Sequence, residues 1–426
     1  MRSNKLSFNI SRLGSRTMKR RFFLILLVLV FVSTLSPLAM AQDNGPETIV
    51  VGATVPLTGR YAGGGAQVER GYMLAVEDIN AAGGVFVEEY NRQIPLEIVL
   101  LDDESDPVKT VSNLEDLYNN NDVVAYLGGF GSDLHAAAAA VAEVNAVPYL
   151  GVAFALWDVH QQGYEYLFSP FPKSPDLSVT TFEFLNATLP EGERPTRVGI
   201  LQEQTDWGIE LGDFWEEDAA EYGYEVVARE TYAPGTQDFT DLILQLQNAD
   251  VQLLLSLPNP PDGITLLTQM AELDWTPAAT VVIRAADPPT WSQSLGANGD
   301  NVLFMPGWHN AMAFSGVEEL NARHIQMMER PSDPIVGPSY ALIQILAAAI
   351  EEAGTLDREA VRDAIAATDL DTVIGNVTFN EDGTGNVVTA ILQVQNGRPE
   401  LVWPAEYATA DFIYPAPPFD EREPAT

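Results

Sequence analysis

Ser132 closes the run Gly128-Gly129-Phe130-Gly131-Ser132, between an apolar stretch and an alanine-rich one. A hydroxyl there, beside the N–H groups of a helix start, suits a ligand carboxylate, and the same local sequence equally suits an ordinary N-cap serine. Trp207-Gly208 opens a second segment of this kind, in Glu203-Gln204-Thr205-Asp206-Trp207-Gly208, where an indole either packs in a core or walls a cleft over an apolar ligand. After a third apolar run come Arg284, suited to an anionic group, and Asp287, which as a residue before Pro288-Pro289 also reads as a turn starter. Tyr61, beside Gly59 and Gly63-Gly64-Gly65, is placed to line the mouth of the same crevice.

Catalytic signatures are missing from the pattern. There is no G-x-S-x-G elbow and no cysteine to serve as a thiol nucleophile. The four histidines (His135, His160, His309, His324) show no H-E-x-x-H or other metal spacing. Alternating strands and helices, with Asp102-Asp103 ending the second strand, raise the reading of a dehydrogenase. The first turn, however, lacks G-x-G-x-x-G at strand-to-helix spacing. A non-enzyme that needs no cofactor is the expectation.

The elements that must position these residues alternate along the chain. Ile49–Val55 is a β-branched apolar run ending at Pro56, followed by a glycine-laden turn and a helix expected from Gln67 to Asn80. Strands are expected at Leu96–Leu101, Val123–Leu127 and Val147–Val152, with helices at Val108–Asn119 and Leu134–Asn145 between them. A second series has strands at Thr196–Leu201, Glu225–Tyr232, Val251–Leu257, Thr280–Ile283 and Val302–Pro306. Its intervening helices are Trp207–Tyr222, Phe239–Asn248 and Gly263–Leu273. Helices Ser339–Ala353 and Leu356–Thr368 and a strand Val387–Val394 follow. Two successive βα series predict an α/β fold with two doubly wound parallel sheets. About 385 residues beyond the leader also exceed what one core usually covers.

Lys19-Arg20-Arg21, the apolar stretch Phe22–Val32 and Ala39-Met40-Ala41 make a secretory signal peptide with cleavage expected after Ala41, and Met18 is an alternative start. The apolar core is shorter than the ~20 residues a spanning helix needs. Without cysteine there is no lipid-bearing residue, so the mature protein is expected free in the periplasm or an equivalent space. The leader holds seven Lys and Arg and no acid, so its removal takes the formal charge from −38 to −45 and leaves only Lys109 and Lys173 as lysines. That acidity excludes general binding to nucleic acid or anionic lipid. The Pro-rich acidic end of the chain, 411–426, is expected to be disordered.

The stretches GATVPLTGRYA, GYMLAVEDINAAGG and LEIVLLDDESDP, in this order and spacing, resemble the solute-binding proteins of branched-chain amino acid and amide ABC transporters. The resemblance runs over nearly all of Thr48–Trp403 and implies two Rossmann-like lobes joined by a three-stranded hinge, the type I periplasmic binding fold. It implies crossings near Ser169–Lys173, Leu303–Gly307 and Gly383–Val387. Lobe one would be 47–170 with 306–385, and lobe two 171–305 with 386–410. Ser132 matches the family's serine, and Gly151–Leu156 its carboxylate-binding loop, with Ala153, Phe154 and Ala155 at the contact positions. Ala155 stands where the family has a threonine hydroxyl. Trp207 replaces a tyrosine, Asn259 falls where an aromatic is usual, and Asp287 lies beside the position of the carboxylate that meets the ligand's ammonium. With these departures the solute need not be leucine; the resemblance extends to relatives that take other amino acids, short amides, urea or aromatic acids. The implied partners are that solute and ABC permease subunits, with a monomeric mature form. The same fold also serves sensory ligand-binding modules, and the residues do not separate the two roles.

Overall fold

The computed structural model describes residues 45–422, and the expected leader, 1–41, lies outside the described residues. The first sheet begins with β1 (Ile49–Val55), buried along almost its whole length, as a strand covered on both faces must be. It continues through α1 (Ala62–Ala81), β2 (Leu96–Asp102), α2 (Pro107–Asn121), β3 (Ala125–Leu127), α3 (Ser132–Asn145), β4 (Tyr149–Leu150) and β5 (Leu167–Phe168). The strands run parallel in the order β2-β1-β3-β4-β5.

The second sheet follows α4 (Ser174–Thr188). In chain order it uses β6 (Arg197–Glu203), α5 (Asp206–Tyr222), β7 (Glu225–Tyr232), α6 (Thr240–Asn248), β8 (Leu253–Ser256), α7 (Pro260–Glu272), β9 (Ala279–Val282) and β10 (Val302–Phe304). The chain then returns to the first sheet with α8 (Val336–Ala353), which lies along α1. It comes back once more as β11 (Ile391–Gln395) and β12 (Arg398–Trp403). The sheet order is β12-β11-β10-β9-β8-β6-β7, parallel except for the two return strands, which are antiparallel. The α/β, two-sheet architecture expected from the alternating pattern is therefore present.

Each sheet reverses its strand order once, between β1 and β3 in the first and between β6 and β8 in the second. Crevices open at the carboxyl ends of strands at such reversals. Between the sheets the chain passes through three neighbouring segments. Ser169 N–H donates to Gly383 O (2.9 Å), and Gly385 N–H donates to Ser169 O (3.0 Å). Gly307, at φ +77°, lies so near Pro172 that a Cβ would sit 3.0 Å from its Cδ.

Two local expectations differ from the structure. The glycines at 63–65 do not form a turn before the first helix; they are its first turn, because α1 begins at Ala62. Their lack of a side chain serves close approach, since a Cβ on Gly64 would meet the Phe130 ring at 2.4 Å and one on Gly65 the Pro56 carbonyl oxygen at 2.0 Å. The end of the chain expected to be disordered is packed as far as 422. Gln393 exchanges two hydrogen bonds with the Ile413 backbone (2.9 and 3.0 Å), Ala416 N–H reaches Ala278 O, and Phe412 sits 4.9 Å from Phe184. Aromatic residues spaced along this acidic, proline-rich stretch supply the apolar area that its composition hides.

Helix α8 seats on α1 at Gly71, where a Cβ would lie 2.6 Å from both Ser339 Cβ and Val336 O. Gly71→Val should therefore lower unfolding free energy by about 1–3 kcal/mol through overpacking. Urea denaturation checks this as a lowered midpoint with an unchanged slope.

Candidate ligand-binding site

The carboxyl ends of the two sheets converge on one small cavity. It is lined by Phe130, Gly131 and Ser132 after β3, by Ala153, Phe154 and Ala155 after β4, and by Phe171 and Leu177 around the first crossing. The second sheet contributes Trp207, Ile283, Arg284, Asp287 and Met305. Six of the eight residues expected at a ligand, Ser132, Ala153, Phe154, Ala155, Trp207 and Asp287, are thus brought together. The cavity volume is about 20 Å³, room for roughly one water, so an organic solute enters only if the two sides part.

On the first-sheet side the backbone is held rigidly. Gly131, at φ +114°, is the N-cap of α3 and gives the helix no side-chain cap. Ser132 stands one residue inside, and its hydroxyl accepts from Ala155 N–H (3.3 Å) instead of capping. The carbonyls of the 153–155 loop are each engaged: Ala153 O by Gly131 N–H, Phe154 O by Lys173 Nζ (2.9 Å), and Ala155 O by the N–H of Ser174 (2.9 Å). The Phe154 ring stacks on His135 at 4.3 Å and carries Lys173 Nζ 3.4 Å from its centroid. Burial pushes the His135 pKa down to about 3, and it drives that of Lys173 well below the usual lysine range.

On the second-sheet side the centre is Arg284, in the left-handed region at φ +74° and 6% exposed. A non-glycine residue held there stores of order 1–3 kcal/mol, a strain that collects at functional sites. Its Nη2 donates to Glu203 (2.8 Å) and to Leu257 O (3.1 Å), and its Nη1 to the Tyr61 hydroxyl (3.3 Å). The guanidinium carbon lies 4.8 Å from the Trp207 ring. Burial opposes its charge, but Glu203 and Tyr61 outweigh that and the pKa is raised. Asp287 has only Arg284 as a compensating charge, and burial pushes its carboxyl up to about 8. Four buried polar atoms here have no protein partner: Arg284 Nε, Trp207 Nε1, Asp287 Oδ1 and Glu203 Oε2. Buried polar atoms are normally paired, and three of these four belong to residues that line the cavity, Arg284, Trp207 and Asp287.

The other two expected residues are elsewhere. Asn259 is the N-cap of α7, with Oδ1 accepting from Asp262 N–H and Nδ2 donating to the Asp262 carboxylate; cap and ligand residue share one local signature. Tyr61 stands behind the cavity wall, its hydroxyl donating to Asp133 (3.1 Å) and accepting from Arg284. Sequence reasoning missed Glu203, whose only signal is its place at the end of β6, where the strand order reverses. Among the described residues, no group of three His, Asp or Glu side chains is placed to hold a metal ion.

The sequence matches the periplasmic binding protein family over residues 48–399. A Leu/Ile/Val-binding protein homolog 7 from Brucella abortus (strain 2308) is 23% identical over 400 residues, 89% of this chain and 98% of its own. The structure is similar to a leucine-binding protein, LivK, from Thermotoga maritima, with a TM-score of 0.76, 21% identity and coverage of 84% and 100% of the two chains. It is also similar to a solute-binding protein of an ABC transporter from R. palustris in complex with benzoate, with a TM-score of 0.72, 16% identity and coverage of 87% and 99%. A cavity between two switch points, three crossings beside it and a match over most of the chain agree: this chain belongs to the periplasmic binding protein family.

Proposed function

We propose that the protein is the exported solute-binding component of an ABC importer, capturing a small organic solute between its two sheets and passing it to permease subunits. The observation that carries this reading is the convergence of two switch-point crevices on one cavity that holds unpartnered polar atoms. The lobes comprise residues 47–170 with 306–385, and 171–305 with 386–410, and they part by rotation at the three crossings. Ser132 and the 153–155 loop hold the polar head of the solute, while Trp207, Arg284 and Asp287 close over it. Nothing is made or broken in this cycle, and a monomer suffices for it.

Closure has a second clasp outside the cavity. Glu210, on α5, accepts from the N–H groups of Trp157 (2.8 Å) and Asp158 (2.6 Å), in the loop that carries Ala153–Ala155. Ser174 at the first crossing donates to the same carboxylate. On the opposite side, Gln67 Nε2 donates to Asp287 O (3.1 Å). A solute that holds the lobes together makes these bonds persist.

Thermal unfolding of residues 42–426 against amino acids, short amides, urea and organic acids tests the reading. A solute at 100 times its Kd adds about 2.7 kcal/mol of stability. One chemical class should raise the midpoint, whereas turnover of that solute by the protein would contradict a pure binding role. Glu210→Ala should weaken the closed form by about 1–3 kcal/mol. Stopped-flow displacement would then show solute release roughly ten- to a hundredfold faster.

A further inference from the structure

Resting on the solute-binding reading, we propose that Lys173 is the positioning residue that couples the cleft to the hinge. It fastens the loop lining the cavity to the first and third crossings, so that loop and crossings move as one body. After the leader the chain holds two lysines, and this one is 2% exposed. It occupies the N-cap of α4, where a side chain that accepts hydrogen bonds is usual, yet an ammonium only donates. Its contribution to the cap is the backbone N–H, which donates to Asp176 (2.9 Å).

The side chain reaches back from α4 to the first sheet. Nζ donates to Phe154 O (2.9 Å) and to Ser169 Oγ (2.8 Å), and it lies 3.4 Å from the centre of the Phe154 ring. Phe154 lines the cavity, and Ser169 is the residue at which the first and third crossings pair, through Gly383 O and Gly385 N–H. One nitrogen thus joins a cavity residue to two of the three crossings. Two further contacts run the same way. Ser174 N–H holds Ala155 O (2.9 Å), and His160, stacked on Phe154 at 5.7 Å, has its Nδ1 2.8 Å from Asp382 O beside the third crossing. A groove of about 620 Å³ borders Lys173, Pro175, Thr384 and Gly385, which leaves the crossings room to turn.

Stability alone does not call for a lysine here. Burying an amine costs free energy that an apolar side chain avoids, and apolar replacements of buried charges are often neutral or stabilising. Asp176, Glu210 and Asp382 bear on Lys173 as charges, but its two hydrogen bonds go to uncharged oxygens. What a donor at this point adds is a link: the two oxygens it joins belong to parts of the chain with different roles, one at the cavity and one at the hinge. Methionine fills a similar space without a donor and so removes the link while keeping the bulk.

Amide hydrogen exchange of the solute-free protein reads this coupling directly. Lys173→Met should speed exchange at Ala155 and Ser174 and, together with them, at Ser169 and Gly385, by roughly tenfold or more beyond any change in β1. Ser169→Ala should also speed exchange at Ala155 and Ser174, which make no hydrogen bond with Ser169, and it carries the test alone if Lys173→Met does not fold. The double variant should exchange no faster than Lys173→Met, because both substitutions cut one link. Faster exchange at Ala155 and Ser174 with Ser169 and Gly385 unchanged would reduce Lys173 to a local anchor and overturn the inference. An equal rise in β1, or additive effects of the two substitutions, would overturn it as well. No solute is added, so failure of the whole thermal panel to bind would count against the binding-protein reading and leave this result separately readable.

Discussion

A guanidinium buried where two parallel sheets meet sets the terms for the rest of this molecule. Taking a charge from water costs several kcal/mol even after relaxation, and the cost is met only with close partners. Arg284 finds them in Glu203, the Leu257 carbonyl, the Tyr61 hydroxyl and the Trp207 face. These come from the ends of β6 and β8, the start of α5 and, across the cleft, the start of α1. One side chain therefore ties the second sheet's switch point to the first sheet.

The cleft is accordingly rigid on one side and adjustable on the other. The loop at 153–155 is fixed through every carbonyl and through the stack of Phe154 on His135, with Lys173 anchoring it to the first crossing. The opposing Arg284 turn reaches the first sheet through a few long-range bonds, at Tyr61 and Gln67. A cavity of about 20 Å³ is smaller than any organic solute.

Much of this was legible in the residues. The βα alternation is strong because parallel strands buried on both faces read as continuous apolar runs. Ser132 and Trp207 were legible because they follow such runs, where crevices of this fold class open, and the 153–155 loop was legible through the family resemblance. What was not legible depended on contacts distant in sequence. Gly63–Gly65 read as a turn because nothing local announces that Phe130 and Pro56 approach them. Asn259 was placed at the ligand by the family resemblance alone, whereas its side chain caps α7, a local role that an alignment position does not show. Glu203 and Glu210 act through partners 36 to 81 residues away, and the aromatic residues that pack the chain's end are hidden in an acidic, proline-rich stretch.

The central claim is that the two lobes close on a solute, and the absence of cysteine from the chain makes it directly measurable. Gln162 and Glu217 face one another across a groove between the lobes, and both are exposed. Spin labels on Gln162→Cys and Glu217→Cys report their separation by dipolar spectroscopy. The account predicts a broad, longer distance distribution without solute that collapses to one short distance at a saturating concentration of the solute that the thermal panel identifies. A distribution that stays the same when that solute is bound would contradict it.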